Sequence, residues 1–365
     1  VSNLNAEVDS LGFLNSGVLK GKIRVKGLPE VSRTFLDADI SRFYSSFEDA
    51  LKVNIPTGDS LINLSFPDHI MQLDYVSYRG RFTGFVNDFV AFGSIKTALG
   101  TAVADINIKT NDGFDYSGSI ASDGFKLGQL IQVPQSVGQV SLNLTVNGSG
   151  VEPKTMRVKA NGTVQSIELL NYRYTNVSID GELANLVFNG NLGVKDTNIR
   201  LGFKGAVDFN SQLPLITADF DVQKLALAPL NLMPSDTHGV FSGNLKLQLK
   251  GSSSDDINGM FRLIEPSYRN EDYVLGLDSV LLIDNLFPGG HEITLKSDFL
   301  NAAVKGRKNL IDLPVALLKV GNYYMPNYVN QPDLAKVDTL QSFTYNLEVL
   351  NEREWLGFFI PNWKS

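Results

Sequence analysis

The chain has 365 residues, 43% of them hydrophobic and 19% charged, with a formal net charge of -7 and no cysteine. That apolar share excludes a disordered chain, and the acidic balance argues against a phosphate-backbone partner, which needs a basic surplus. Missing thiols remove disulfides and thiolate metal sites.

Taken in chain order, the first feature is helical. "SRFYSSFEDALK" (41–52) sets Phe43, Tyr44, Phe47 and Leu51 on one face, with Ser41 as N-cap, and predicts a helix. Strand patterns then dominate. "TAVADINIKT" (101–110) places Ile106 and Ile108 on one side, and "QVSLNLTVNG" (139–148) does so for Leu142 and Leu144. "TNVSIDGEL" (175–183) aligns Val177 and Ile179, and "NIRLGFKGAVDF" (198–209) aligns Ile199, Leu201 and Phe203. In "GVFSGNLKLQLKG" (239–251) Phe241, Leu245, Leu247 and Leu249 oppose Ser242, Asn244, Lys246, Gln248 and Lys250. "HEITLKSDFL" (291–300), with Ile293 and Leu295, and "SFTYNLEVL" (342–350) complete the set; "NEREWLGFFIPNW" (351–363) reads as a closing helix stopped at Pro361.

Asn147-Gly148, Asn161-Gly162, Asn189-Gly190, Asn258-Gly259, Asp112-Gly113, Asp123-Gly124 and Asp180-Gly181 predict type I′ hairpin turns. Short strands joined by tight turns make an antiparallel meander. A weak repeat accompanies them: Phe125, Leu127 and Leu130 in 122–133 share their spacing with Leu225, Leu227 and Leu230 in 222–233. We read these, with 37–53, as short apolar caps that fold over a sheet end. No linker divides residues 1–365; "GSSSDD" (251–256) marks at most a weak subdivision.

The expected fold is therefore all-β: an elongated antiparallel meander with a few short helices. Its apolar face must be covered by a second sheet, by barrel closure, or by a foreign apolar guest lying in an open trough. Periodicity alone leaves the three open. Run-on strands without a clear break favour the trough, lined by Ile106, Ile108, Leu142, Leu144, Val177, Ile179, Ile199, Leu201, Phe203, Leu245, Leu247, Leu249, Ile293 and Leu295.

Catalytic and metal signals are sparse. His69, His238 and His291 lie far apart without ligand spacing and read as surface or turn residues. Asp37/Asp39 and Asp219/Asp221 are spaced like calcium ligands but point outward from strands. "SYRNEDY" (267–273) reads as a polar turn. Neither an enzyme nor a cofactor is expected.

The run 239–283, with Gly243, Gly251, Asp255-Asp256, Gly259, Tyr268 and Tyr273, resembles the AsmA/TamB superfamily of Gram-negative envelope proteins. Stretches 78–108, 116–130 and 342–363 resemble repeats of that family. The resemblance implies a parent protein anchored in the inner membrane, a periplasmic β-taco trough with a hydrophobic interior, and work in moving phospholipid or assembling outer-membrane β-barrels. The stretch in hand reads as a middle piece. The leading expectation is a lipid-conducting groove with phospholipid as partner. Alternatives are a chaperone or scaffold for outer-membrane β-barrel proteins and a surface adhesin; no nucleic-acid partner is expected.

Overall fold

The computed structural model describes residues 2–28, 33–52, 54–57, 60–63, 66–111, 113–210, 213–251, 256–271, 274–307, 319, 322–323 and 343–350. Its chain divides into two compact units, residues 1–185 with 194–196, and residues 186–193 with 197–365. Each is all-β.

In the first unit the elements run β1 (Ser2–Phe13), β2 (Gly17–Leu28), β3 (Phe35–Ser46), α1 (Phe47–Ala50), β4 (Asn54–Thr57), β5 (Ser60–Asn63), α2 (Asp68–Met71), β6 (Tyr75–Phe85), β7 (Asp88–Thr97), β8 (Gly100–Lys109), β9 (Asp115–Phe125), α3 (Leu127–Leu130), β10 (Val137–Ser149), β11 (Arg157–Leu169) and β12 (Tyr172–Ala184). Each strand pairs antiparallel with the next in sequence, except that β3 pairs directly with β6 and the β4–β5 hairpin stands apart. β13 (Val187–Lys195) follows.

The second unit carries β14 (Ile199–Asp208), β15 (Leu215–Ala226), β16 (Val240–Lys250), β17 (Asn258–Arg269), β18 (Val274–Gly276), β19 (Ser279–Phe287), β20 (Gly290–Ser297), β21 (Leu300–Gly306) and β22 (Phe343–Val349). They form a second antiparallel meander, with β18 and β19 both laid along β17. Neither meander closes into a barrel among the described residues, and none of the described helices is long and apolar enough to cross a membrane.

Three expectations change. The helix placed at 41–52 is strand up to Ser46, and only Phe47–Ala50 is helical. Ser46, rather than Ser41, caps it, its hydroxyl accepting from the Asp49 amide at 3.1 Å. Pairing of β3 with β2 as far as Tyr44 and with β6 as far as Ser46, across one register shift in each ladder, outweighs the weak helical preference of a short aromatic run.

The run 291–300 is likewise two strands, broken by a turn in which Ser297 bonds both the amide and the carbonyl of Leu300.

Apart from Asp112-Gly113, whose Gly113 lies in the β8–β9 connection and whose Asp112 is outside the described residues, the Asn-Gly and Asp-Gly pairs do not make hairpin turns. Gly148, Gly162, Gly181 and Gly190 lie inside strands. Tight turns with two positive φ angles fall instead at Leu170-Asn171 and Asn185-Leu186. The described caps do follow the repeat: α3 comes after the β9–β10 bulge, and a turn at 227–231 comes after the β15–β16 bulge. Each bulge bends its strand and re-aims the segment beyond it. The helix expected at 351–363 and most of 251–256 lie outside the described residues.

One polar lock holds the β1–β2 turn. Ser16 donates to Asp49 through its hydroxyl at 2.5 Å and its amide at 2.7 Å, and the Asn15 side chain donates at 3.2 Å. The Ser16 hydroxyl is the main cause of a lowered Asp49 pKa. A folded-state pKa below the unfolded one contributes stability above the unfolded value, lost as pH falls through the folded value. We expect the protection of the Ser16 amide, its exchange compared with the unstructured rate at the same pH, to fall on acidification below pH about 4, the ordinary carboxylate range. In Asp49→Asn that protection should be low at every pH, and protection that does not change with pH in the unmodified protein would refute the lock.

Candidate functional site

Strand register decides which side chains share a face. Across the first unit one row reads Val8, Gly21, Ile40, Gly80, Gly93, Ala104, Ile120, Leu144, Gly162, Ile179 from β1 to β12. The parallel rows that begin at Leu4, Ala6 and Leu11 contain Ile108, Ile106, and Leu142 with Val177. None of these four rows holds an Asp, Glu, Lys, Arg or His. All six residues expected to line a trough in this unit therefore stand on one uncharged face.

The second unit repeats the arrangement. One row reads Gly205, Ala218, Leu247, Phe261, Leu282, Leu295, Ala302, Leu347. Ile199, Leu201, Phe203, Leu245, Leu249 and Ile293 occupy neighbouring rows of the same face.

Burial separates these residues into two kinds. Ile199, Phe203 and Ile293 are 6%, 8% and 3% exposed and belong to the core. Phe203 packs edge-on against Phe220 at 5.2 Å. Ile106, Ile108, Leu142, Leu144, Val177, Ile179, Leu201, Leu245, Leu247, Leu249 and Leu295 are half-buried. A fully interdigitated sandwich core would bury such aliphatic side chains almost completely. Half-burial leaves each unit with an apolar face that its own side chains only partly cover.

Tyrosines and glycines shape this face, and the sequence reading missed both. Tyr78 donates to the carbonyls of Arg81 and Phe92 at 2.9 and 3.1 Å. Its hydroxyl lies over Gly80 and its ring edge over Gly93, each 2.8 Å from where a Cβ would stand. Tyr116 covers Gly148 in the same way. Desolvation raises the pKa of Tyr78 and Tyr116, which marks their surroundings as poor in water. The legible signal was the Asn-Gly pairs, whose glycines make room for rings and neighbouring backbone on this face.

The opposite face is polar. Asp37 accepts from Arg81 and Thr83 at 3.2 Å each and pairs with Arg24 at 2.8 Å. Burial pulls its pKa up, but these hydrogen bonds and the Arg81 and Arg24 charges together hold it below the ordinary value. Asp39, Asp219 and Asp221 are exposed, and no group of His, Asp or Glu able to hold a metal occurs among the described residues.

One feature contradicts the surface role read for the histidines. His291 is 4% exposed, and its Nδ1 lies 2.9 and 3.0 Å from the two carboxylate oxygens of Asp284, itself 1% exposed. Asp284 stands in the row Leu249, Gly259, Asp284, Ile293, Val304, so this hydrogen-bonded pair is a polar exception on the apolar face. His238 is exposed as expected, 3.2 Å from Glu271.

Chemically, the site can do one thing well. In each unit it offers hydrocarbon a half-buried, mostly aliphatic face, without a charged residue along four rows of the first unit and interrupted in the second by Asp284 and His291. Comparison of the chain with family models, characterised proteins and solved structures returns no match.

Proposed function

We propose that this chain is a non-enzymatic lipid-conducting element, its apolar face forming the floor of an open trough that shields phospholipid acyl chains. The observation that carries the reading is the half-burial of aliphatic rows that continue without a charge from β1 to β12. Each CH₂ removed from water contributes about 0.8 kcal/mol, so an acyl chain gains on the order of 10 kcal/mol along such a surface. Successive rows offer similar contacts, so moving from one to the next costs little. The AsmA/TamB resemblance supports the same reading and, with it, a periplasmic setting and a parent protein anchored in the inner membrane.

The test is transfer of a fluorescent phospholipid between donor and acceptor vesicles. We expect Ile106→Glu with Leu144→Glu to reduce transfer at least tenfold, because acyl chains would have to pass buried carboxylates. The far-UV circular dichroism should stay unchanged. Asn143→Glu, on the polar face of the same strand, should transfer normally. Unaltered transfer by a folded double variant would end the proposal. Phe203 is unsuited to the test, because it is a core residue whose loss would disturb the fold.

A further inference from the structure

We infer that Lys246 and Arg262, on the polar face of the second unit, form a binding site for the phosphate group of a polyol phosphate ester.

The register from β14 to β20 sets one polar row as Lys204, Asp219, Lys246, Arg262, Leu281, Lys296. Lys246 and Arg262 thus stand directly opposite each other, within a regular stretch of ladder from Asn244 to Lys250. Like charges so placed repel and weaken a sheet. Both side chains are exposed, and neither makes an ion pair among the described residues. In the first unit, by contrast, Arg24 and Arg81 share Asp37 at 2.8 and 3.2 Å. Lys20–Arg42 and Arg200–Lys224 also face each other, but both pairs adjoin a register shift, and Lys224 donates to the Thr197 carbonyl at 2.8 Å. Opposed side chains in a regular ladder have Cβ atoms about 5 Å apart, so one oxyanion can accept from both. The guanidinium supplies a planar fork and the ammonium a point charge, two donors suited to phosphate.

Neighbouring acids select what carries the phosphate. Asp219 lies beyond Lys246, two strand spacings or about 10 Å from Arg262. The other neighbour of Arg262 is Leu281, which brings no charge. A cavity of about 400 Å³ opens beside Lys246, lined in part by Lys204, Asp219, Asp221 and Asn244. Its carboxylates and amide oxygen accept hydrogen bonds from hydroxyl groups. A phosphate on Lys246 and Arg262, with hydroxyls reaching into the cavity, matches this division of charge. A bare polyanion would meet the two carboxylates. Nothing in this site requires the lipid reading.

A soluble ester and a lipid headgroup present the same group, and two arms of one experiment separate them. The whole 365-residue chain is titrated calorimetrically with glycerol 3-phosphate, with glycerol as the uncharged control. We expect saturable binding of the first and none of the second. Arg262→Gln and Lys246→Gln should each weaken it at least tenfold. Arg42→Gln, which removes a cation from another opposed pair, should leave it unchanged. Flotation with phosphatidylcholine vesicles, with and without phosphatidylglycerol, forms the second arm. Retention that needs both phosphatidylglycerol and Arg262 assigns a headgroup; soluble binding without such retention assigns a free ester. Absence of binding in both arms, or equal weakening by Arg42→Gln, would overturn the inference. Because the comparison of glycerol 3-phosphate with glycerol uses the unmodified protein, it stands even where a variant folds poorly.

Discussion

Asp284→Ala is expected to lower hydrogen-exchange protection of the β19–β20 amides at least tenfold. Its carboxylate is 1% exposed and lies within 3.0 Å of the His291 ring, on a face otherwise lined by aliphatic groups. Removing the carboxylate takes away a buried hydrogen bond to a charged group, at a cost of about 1.5–3 kcal/mol. The pair is diagonal across the hairpin, since Asp284 faces Ile293 while His291 faces Leu286. Loss of the tie should therefore open the turn end first. Replacing both residues by leucine removes the two polar groups together and should restore most of the protection, because exchanging both partners of a buried hydrogen bond for apolar groups costs little. An Asp284→Ala protein with parental protection would show that the pair contributes nothing to the hairpin. A double variant no better than the single one would show that shape, rather than charge, is what matters at this position.

The second large effect is expected at glycines of the apolar face. Gly118 has φ +150° and Gly162 φ +148°. A Cβ on Gly118 would stand 2.8 Å from the Ile106 Cα and against the Asp105 carbonyl; on Gly162 it would stand 3.0 Å from the Leu144 Cα. Those neighbours are backbone atoms of paired strands and cannot swing aside. Gly118→Val or Gly162→Val thus combines backbone strain with overpacking, and should cost on the order of 3 kcal/mol in urea denaturation. Gly12→Ala, in β1, meets nothing within 4 Å and should stay within about 0.5 kcal/mol of the parent. If Gly118→Val proved as mild as Gly12→Ala, the close approach of β8 to β9 would have no energetic weight.

These two residue classes show where sequence reasoning reached and where it stopped. Period-2 alternation in 101–110, 139–148, 175–183, 198–209 and 239–251 determined the strands and their apolar sides, because side-chain direction in an extended chain follows from covalent geometry. The lining residues from Ile106 to Leu295 consequently fall on one face in each unit. Tertiary structure decided the rest. Whether Phe203 is core while Leu247 is half-open depends on which neighbours reach it, which a one-dimensional pattern does not encode. Asn161-Gly162 carries hairpin chemistry locally, yet its neighbours on β10 and β12 keep it within a strand and use the glycine for close approach. His291 looked solitary because its partner is seven residues away, and only the fold of the β19–β20 hairpin turns Asp284 to meet it. Local geometry fixes direction along one strand; cover, contact and charge pairing arise only when strands lie side by side.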